Sequence, residues 1–106
     1  MNTLNWSSAE KKIARKAYDA ALKREYSVLL QQLKSSAEKA NSRDDIWDIY
    51  DYLTKQRKSI DQRYHYSYSQ LIFVFGILLR QKWLEESDLA GLTEDKRQLI
   101  HAFANG

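Results

Sequence analysis

The chain has 106 residues and a formal net charge of +3, and 43% of its residues are hydrophobic while 29% are charged. It has no cysteine, which excludes disulfides and thiolate chemistry and fits a reducing compartment. It has no proline and three glycines, which favours helices. The longest apolar run, residues 71–79, is too short for a bilayer span of about 20 residues, and the N-terminus lacks a signal-peptide pattern. We therefore expect one helical domain, residues 1–106, without a transmembrane segment.

The first predicted helix runs from Ser8 to about Lys39. Ser7 stands three residues before Glu10, the spacing of a capping box, and no glycine or proline follows within this range. A helix of about 32 residues would be roughly 48 Å long. A compact chain of this length has a radius of gyration of about 13 Å, so the helix must project and needs a partner for its apolar side.

This helix has two apolar faces that point in different directions. On a helical projection, the first face comprises Ile13, Ala14, Ala17, Ala20 and Ala21, and the second comprises Leu22, Tyr26, Leu29, Leu33, Ala37 and Ala40. The face changes between Ala21 and Leu22, where no helix-breaking residue lies. We interpret the two halves as packing against different bodies, their own chain and a second chain. A break into two helices is the alternative that the sequence leaves open.

Capping and turn signals predict the later elements. Ser42 stands three residues before Asp45, so a second helix is predicted from Arg43 to about Tyr64. Residues 64–69 form either an extended connection or a continuation of that helix. A third, buried helix is predicted over residues 70–84, despite Gly76. Thr93 is expected to cap a short final helix whose apolar side contains Leu92, Leu99, Ile100 and Phe103.

The second helix mixes aromatic rings with charges. Its predicted core stripe contains Ile46, Ile49, Leu53, Ile60 and Tyr64, with Trp47 about a quarter-turn outside this stripe and Arg57 inside it. Trp, Tyr and Arg concentrate binding energy in interfaces, so we interpret Trp47 and Tyr50 as interface residues, with intrachain packing as the alternative. Asp51 either pairs with Lys55 on the same helix or meets a cation on another chain.

The pattern does not indicate catalytic, metal or cofactor chemistry. His65 and His101 lack the companion ligands that a metal site requires, and the acidic residues at 44, 45, 48 and 51 are interpreted as a solvated face. Five basic residues lie along one side of the first helix: Lys11, Lys12, Arg15, Lys16 and Lys23. They would permit weak nonspecific binding to nucleic acid or to a membrane surface, but no recognition motif accompanies them, and we expect no nucleic-acid partner.

Several segments resemble one known family. "WSSAE", "KREYSVLL", "DDIWDIYDYLTKQRKSIDQRY" and "IFVFGILL" are similar, in order and spacing, to the cyanobacterial fluorescence recovery protein family, and the resemblance extends from Trp6 to about Lys96. It implies an all-α homodimer with a long antiparallel two-helix stalk, about residues 7–66, and a small helical head, about residues 67–106.

The resemblance also implies a function and a set of residues. Family members are non-enzymatic regulators that bind the photoactivated orange carotenoid protein, mainly through its C-terminal domain, and speed its return to the orange form and its release from the phycobilisome. By position, Trp47 and Asp51 would belong to the dimer interface, and Arg57 to activity. Tyr50 belongs to the same patch, but the family often has histidine there, so no proton-dependent role is carried over. Phe73 in the head is implicated too, with core packing as the alternative.

The location implied is cytoplasmic, with peripheral association with thylakoid membranes or phycobilisomes. A dimeric helical adaptor of another pathway, or a weak nucleic-acid-binding module, is the alternative function.

Overall fold

The computed structural model describes residues 4–106, and every regular element in this range is helical. The α-helices are α1 (Ser8–Lys39), α2 (Arg43–Arg63), α3 (Leu71–Arg80) and α4 (Glu94–Asn105), and a 3₁₀ helix (Glu86–Leu89) lies between α3 and α4. The molecule measures 54 × 26 × 24 Å. The predicted all-α class is therefore confirmed. The first three residues of the predicted domain, which also begin the segment searched for a signal peptide, lie outside the described residues.

Helix α1 is continuous over 32 residues, so the break near Ala21 does not occur. The predicted capping box is present. The Ser7 hydroxyl accepts a hydrogen bond from the Glu10 amide, and the Glu10 carboxylate accepts one from the Ser7 amide, both at 3.1 Å. These bonds satisfy amide donors that the first helical turn would otherwise leave unpaired.

The two halves of α1 lie in different surroundings. Ala14, Ala17 and Ala21 are buried in the main apolar cluster together with residues of α3, α4 and the segment between them. Small side chains at this spacing let the neighbouring elements approach the helix closely. In the second half, by contrast, Tyr26 and Leu30 are exposed. The predicted first face is thus covered by the chain itself, whereas the second is only half-buried, with Tyr26 and Ala37 exposed.

Helix α2 runs antiparallel to α1, and together they form what we call the hairpin. Gln32 accepts a hydrogen bond from the Tyr52 hydroxyl, and Glu25 accepts hydrogen bonds from Arg63, which fixes the antiparallel register. Helix α2 ends at Arg63, one residue before the predicted end, and Tyr64 occupies the C-cap position.

The predicted core stripe of α2 is covered along most of its length, except near the start of the helix. Ile60 is buried, Ile49, Leu53 and Tyr64 are half-buried, and only Ile46, at 57% exposure, lies open to solvent. The reason is that α3 and α4 cover the N-terminal half of α1 and leave most of α2 with a single neighbouring helix. An apolar stripe on α2 therefore finds less cover within the chain than its width suggests.

The remaining segments form a small unit, residues 71–105, which we call the α3–α4 unit. Helix α3 is shorter than predicted at both ends and stops at Arg80, because Lys82 adopts a left-handed backbone (φ 68°) and the Trp83 amide turns back to the Leu78 carbonyl at 2.9 Å. Residues 64–67 form no helix, so the connection alternative is correct. A Cβ at Gly76 would lie 2.5 Å from the Phe103 Cβ, so glycine permits the close approach of α3 and α4.

The final helix begins where predicted. Thr93 occupies the N-cap position of α4, although its side chain makes no capping hydrogen bond. Leu92 and Ile100 are buried, as the predicted apolar side requires, whereas Leu99 and Phe103 are exposed. The apolar side of α4 therefore extends beyond what the chain covers.

Ion pairs attach the α3–α4 unit to the hairpin. Arg24 pairs with Asp88 at 2.7 Å, and Lys96 pairs with Glu10 at 3.1 Å. The hydrogen bonds from Arg24 lower the pKa of Asp88. The Ser7 amide, followed by the Thr93 amide and Lys96, holds the pKa of Glu10 below its usual value against the opposing effect of burial.

Candidate partner-binding surface

Near its start, α2 presents aromatic and aliphatic side chains to solvent. Trp47 and Tyr50 are each 60% exposed, and Ile46 is nearly as exposed. The Trp47 and Tyr50 rings meet edge to face, with centroids 6.1 Å apart and planes at 82°. Asp51 follows Tyr50 and is exposed. We call Ile46, Trp47, Tyr50 and Asp51 the α2 patch. Large exposed rings beside a charge are typical of surfaces that bind another protein.

Helix α1 adds apolar side chains to the same stretch of the hairpin. Tyr52 bonds to Gln32 across the hairpin, so Leu30 lies within about one helical turn of Tyr50 along the axis. Leu30 and Tyr26 are both nearly half exposed. On a helical projection, Leu30, Tyr26 and the α2 patch all point toward the same side of the hairpin.

Asp51 has no basic partner within ion-pair distance among residues 4–106. The predicted intrahelical pair with Lys55 does not form in that range; the exposed pairs at this spacing are Arg15–Asp19 and Arg57–Asp61. The carboxylate of Asp51 is therefore available to a group outside the chain.

Arg57 extends into solvent from the stripe on which the helical projection places it, so its charged end is not part of the core. Its side chain is 83% exposed, and its Nε lies 3.9 Å from the Asp61 carboxylate, which is itself exposed. It lines a shallow groove with Thr54, Lys58, Asp61, Gln62 and His65. A guanidinium this lightly held can form bidentate hydrogen bonds with a partner's carboxylate at little cost to the fold.

Phe73 lies on the α3–α4 unit and is 47% exposed, so the core-packing alternative is wrong. Its ring meets the equally exposed ring of Phe103 edge to face, with centroids 5.4 Å apart. Leu99, one turn earlier on α4, is exposed as well. The structure thus holds two separate apolar surfaces, one at the far end of the hairpin with Trp47, Tyr50 and Asp51, and one on the α3–α4 unit with Phe73.

Sequence reasoning missed Ile46, Leu30, Leu99 and Phe103 as surface residues. Helical periodicity placed Ile46, Leu99 and Phe103 on core faces and did not single out Leu30. The adjacent Trp47 was the available signal for Ile46. An apolar surface that includes both Trp47 and the stripe is wider than one neighbouring helix can cover, so part of it remains exposed.

The described residues offer little for metal chemistry. Within residues 4–106 there is no group of three or more His, Asp or Glu side chains placed to hold a metal ion. His65 lines the Arg57 groove, and His101 lies 2.5 Å from the Glu86 carboxylate. In the same range, no helix is both long and apolar enough to cross a membrane.

Comparison with known proteins identifies the family. The family model described as photoprotection regulator fluorescence recovery protein matches residues 6–104. The chain belongs to this family. The resemblance found in the sequence segments is thereby confirmed, and the protein is a member of a family of photoprotection regulators.

Individual relatives agree with this assignment. The fluorescence recovery protein of Synechocystis sp. PCC 6803 is 34% identical over 99 residues, which cover 93% of this chain and 91% of the relative. The solved structure of the Fremyella diplosiphon fluorescence recovery protein matches with a TM-score of 0.91 at 35% identity, over 96% of this chain and all of that one. The Synechocystis structure matches with the same TM-score and coverage at 33% identity.

Proposed function

We propose that this family member is a non-enzymatic regulator that binds the photoactivated, red form of the orange carotenoid protein, mainly its C-terminal domain. It accelerates the return to the orange form and the detachment from the phycobilisome, so that quenching ends and antenna fluorescence recovers. Family membership supports the photoprotective role. The observation that carries the proposal of a protein partner is the exposed mixture of rings and charges on α2.

The first part of the proposal is a homodimer formed by two hairpins. Ile46, Trp47 and Tyr50 are exposed in the single chain, and Tyr26 and Leu30 extend the apolar surface on α1. Two hairpins that meet through these faces would bury them in a four-helix arrangement. In this arrangement Asp51 would find a partner cation across the interface, which residues 4–106 of its own chain do not supply. The hairpin is then the stalk, and the α3–α4 unit is the head.

The second part assigns the contacts with the carotenoid protein. Arg57 remains exposed beside the dimer face and would bind a carboxylate of the partner. Phe73 and the neighbouring Phe103 offer a second, apolar contact on the head. Two contacts separated along an elongated molecule suit a partner whose domains have moved apart.

The mechanism follows from which state is bound most tightly. To accelerate closure, the regulator must stabilise the transition state for re-docking of the two domains more than it stabilises the open form. To act repeatedly, it must release the closed orange form. No bond needs to be made or broken. We place its action in the cytoplasm, at phycobilisomes on the thylakoid surface.

The test is the dark recovery of red orange carotenoid protein, followed by absorbance, with the regulator present below stoichiometric amounts. We expect acceleration with turnover by the wild-type chain and a strong loss with Arg57→Leu. Lys58→Leu is the matched control, because it removes a neighbouring cation of the same groove. If both variants lose the same amount of recovery activity, the effect comes from the positive charge of the groove as a whole and not from Arg57 itself. No acceleration by the wild-type chain would overturn the proposed function and favour an adaptor of another pathway.

A further inference from the structure

A second charged surface lies at the opposite end of the hairpin from the α2 patch and is not used by the proposed function. An open groove lies between the N-terminal turns of α1 and the segment that follows α2, residues 64–70. It is lined by Lys11, Lys12, Arg15, Lys16, Asp19, Tyr66 and Tyr68, and we call it the basic groove. With four cations against one carboxylate, it is a concentrated positive surface on a chain whose formal net charge is only +3.

Two of the cations are held in place by aromatic rings. The Arg15 guanidinium lies 3.8 Å from the centroid of the Tyr66 ring, and the Lys11 ammonium lies 5.1 Å from that of Tyr68. The two rings meet each other at 5.7 Å, and Tyr68 also meets Trp6 at 5.8 Å. Cations that are already ordered on a rigid wall lose less side-chain entropy when an anion binds.

The spacing of the cations defines the anion that fits. Lys11 and Arg15 are four residues apart on one helix, as are Lys12 and Lys16, so each pair is separated by about 6 Å along the axis. In an extended peptide, alternate side chains lie about 6.6 Å apart on one face. We propose that the basic groove binds an extended acidic segment of another protein, with carboxylates on alternate residues.

Two other classes of anionic partner fit the groove less well. Single-stranded nucleic acid binds by stacking its bases on open aromatic faces, but both rings of the groove already carry a cation over one face. A membrane surface would favour apolar side chains beside the cations, and the groove is lined by none except the two tyrosines. Asp19 repels a uniformly anionic polymer, but it can accept a hydrogen bond from a peptide that carries a donor side chain between its acidic residues.

The test uses the full chain and a fluorescent synthetic peptide in which glutamate alternates with serine. We expect saturable binding that weakens with salt, and amide NMR shifts confined to residues 11–19 and 64–70. Lys12→Glu/Arg15→Glu should weaken binding by about tenfold or more, as expected for the loss of two exposed ion pairs and added repulsion. Lys34→Glu/Lys39→Glu is the matched control on the same helix and should bind as the wild type does.

The comparison probes decide the assignment. A peptide with the same composition but with its glutamates in one block should bind more weakly, and equal binding would overturn the proposed register. Absence of binding, equal weakening by the control variant, or tighter binding of an oligo-thymidine strand or of phosphatidylserine vesicles would overturn the proposal. If the charge-reversed variant unfolds by circular dichroism, Lys12→Gln/Arg15→Gln replaces it and should still weaken binding. The experiment contains no carotenoid protein, so its outcome is independent of the proposed function.

Discussion

Replacement of Glu25 by alanine would break the buried contact that holds the base of α2 to α1. The Glu25 side chain is 8% exposed and that of Arg63 is 16% exposed. The carboxylate accepts hydrogen bonds from both terminal nitrogens of Arg63, one of them at 2.8 Å, and from the Tyr64 hydroxyl at 3.0 Å. Without Glu25, a largely buried guanidinium and a half-buried phenol lose their acceptor together.

The expected cost follows from the burial of the pair. Removal of one partner of a buried ion pair costs about 3–5 kcal/mol, because the remaining charge has been taken out of water without compensation. Arg63 keeps two hydrogen bonds, to Gln81 at 3.1 Å and to the Ser59 hydroxyl at 3.4 Å, and is not completely buried. We therefore place the loss near the lower limit, at about 3 kcal/mol. For a chain of this size that corresponds to a fall in Tm of roughly 10–20 °C.

The assay is thermal unfolding of Glu25→Ala followed by circular dichroism, at one fixed protein concentration because any dimer makes Tm depend on concentration. The control is Glu25→Leu/Arg63→Met, which removes both charges and should recover much of the lost stability. A loss below about 1 kcal/mol for Glu25→Ala, the range of exposed pairs, would refute the reasoning. So would a double variant that is no more stable than the single one.

Three further predictions concern the proposed interface, the helix contact and acid stability. Trp47→Ala should raise the dimer dissociation constant about 30-fold in sedimentation experiments, the effect of losing an interface anchor of about 2 kcal/mol, and an unchanged constant would place Trp47 outside the interface. Gly76→Ala should destabilise by about 1–3 kcal/mol in urea unfolding because its Cβ would meet Phe103 at 2.5 Å, whereas a gain would show that α3 and α4 separate freely. Folding lowers the pKa of Glu10, so its ionised carboxylate stabilises the folded state at pH values above the usual pKa of 4.5. This stabilisation is lost as the pH falls below 4.5 and through the lower pKa of the folded state. Glu10→Gln should therefore show a shallower fall of Tm with acid than the wild type, and an equal fall would assign acid sensitivity to other groups.

Local sequence signals predicted the helices well. The side chains of Ser7 and Ser42 accept hydrogen bonds from the amides three residues later, at Glu10 and Asp45, as their spacing indicated. The lengths of α1 and α2 followed from these caps and from the absence of glycine and proline between them. Caps and breakers act within one or two helical turns, so a single sequence contains the information that determines them.

Burial was harder to predict because it depends on what lies against each helix. The stripe containing Ile46 has a helical period, but period alone does not reveal that α3 and α4 pack on the other end of α1. The end of α3 depends on the left-handed conformation of Lys82. Lysine rarely adopts this conformation, so the sequence does not indicate that the helix ends there. The pairs Arg24–Asp88 and Lys96–Glu10 join residues more than sixty positions apart, and neither has a local signature.

The distribution of polar contacts along the hairpin explains why its far end is the better candidate for a partner surface. Near the α3–α4 unit, buried ion pairs at Glu10 and Glu25 fix α1 against α4 and α2. Toward the turn, the described contacts between α1 and α2 are reduced to half-buried aliphatic side chains and the exposed bond between Tyr52 and Gln32. An end so lightly held gains more from a second chain than an end already fixed by its own. The rings of Trp47 and Tyr50 lie at that end, and their exposure is consistent with stabilisation supplied by assembly rather than by the single chain.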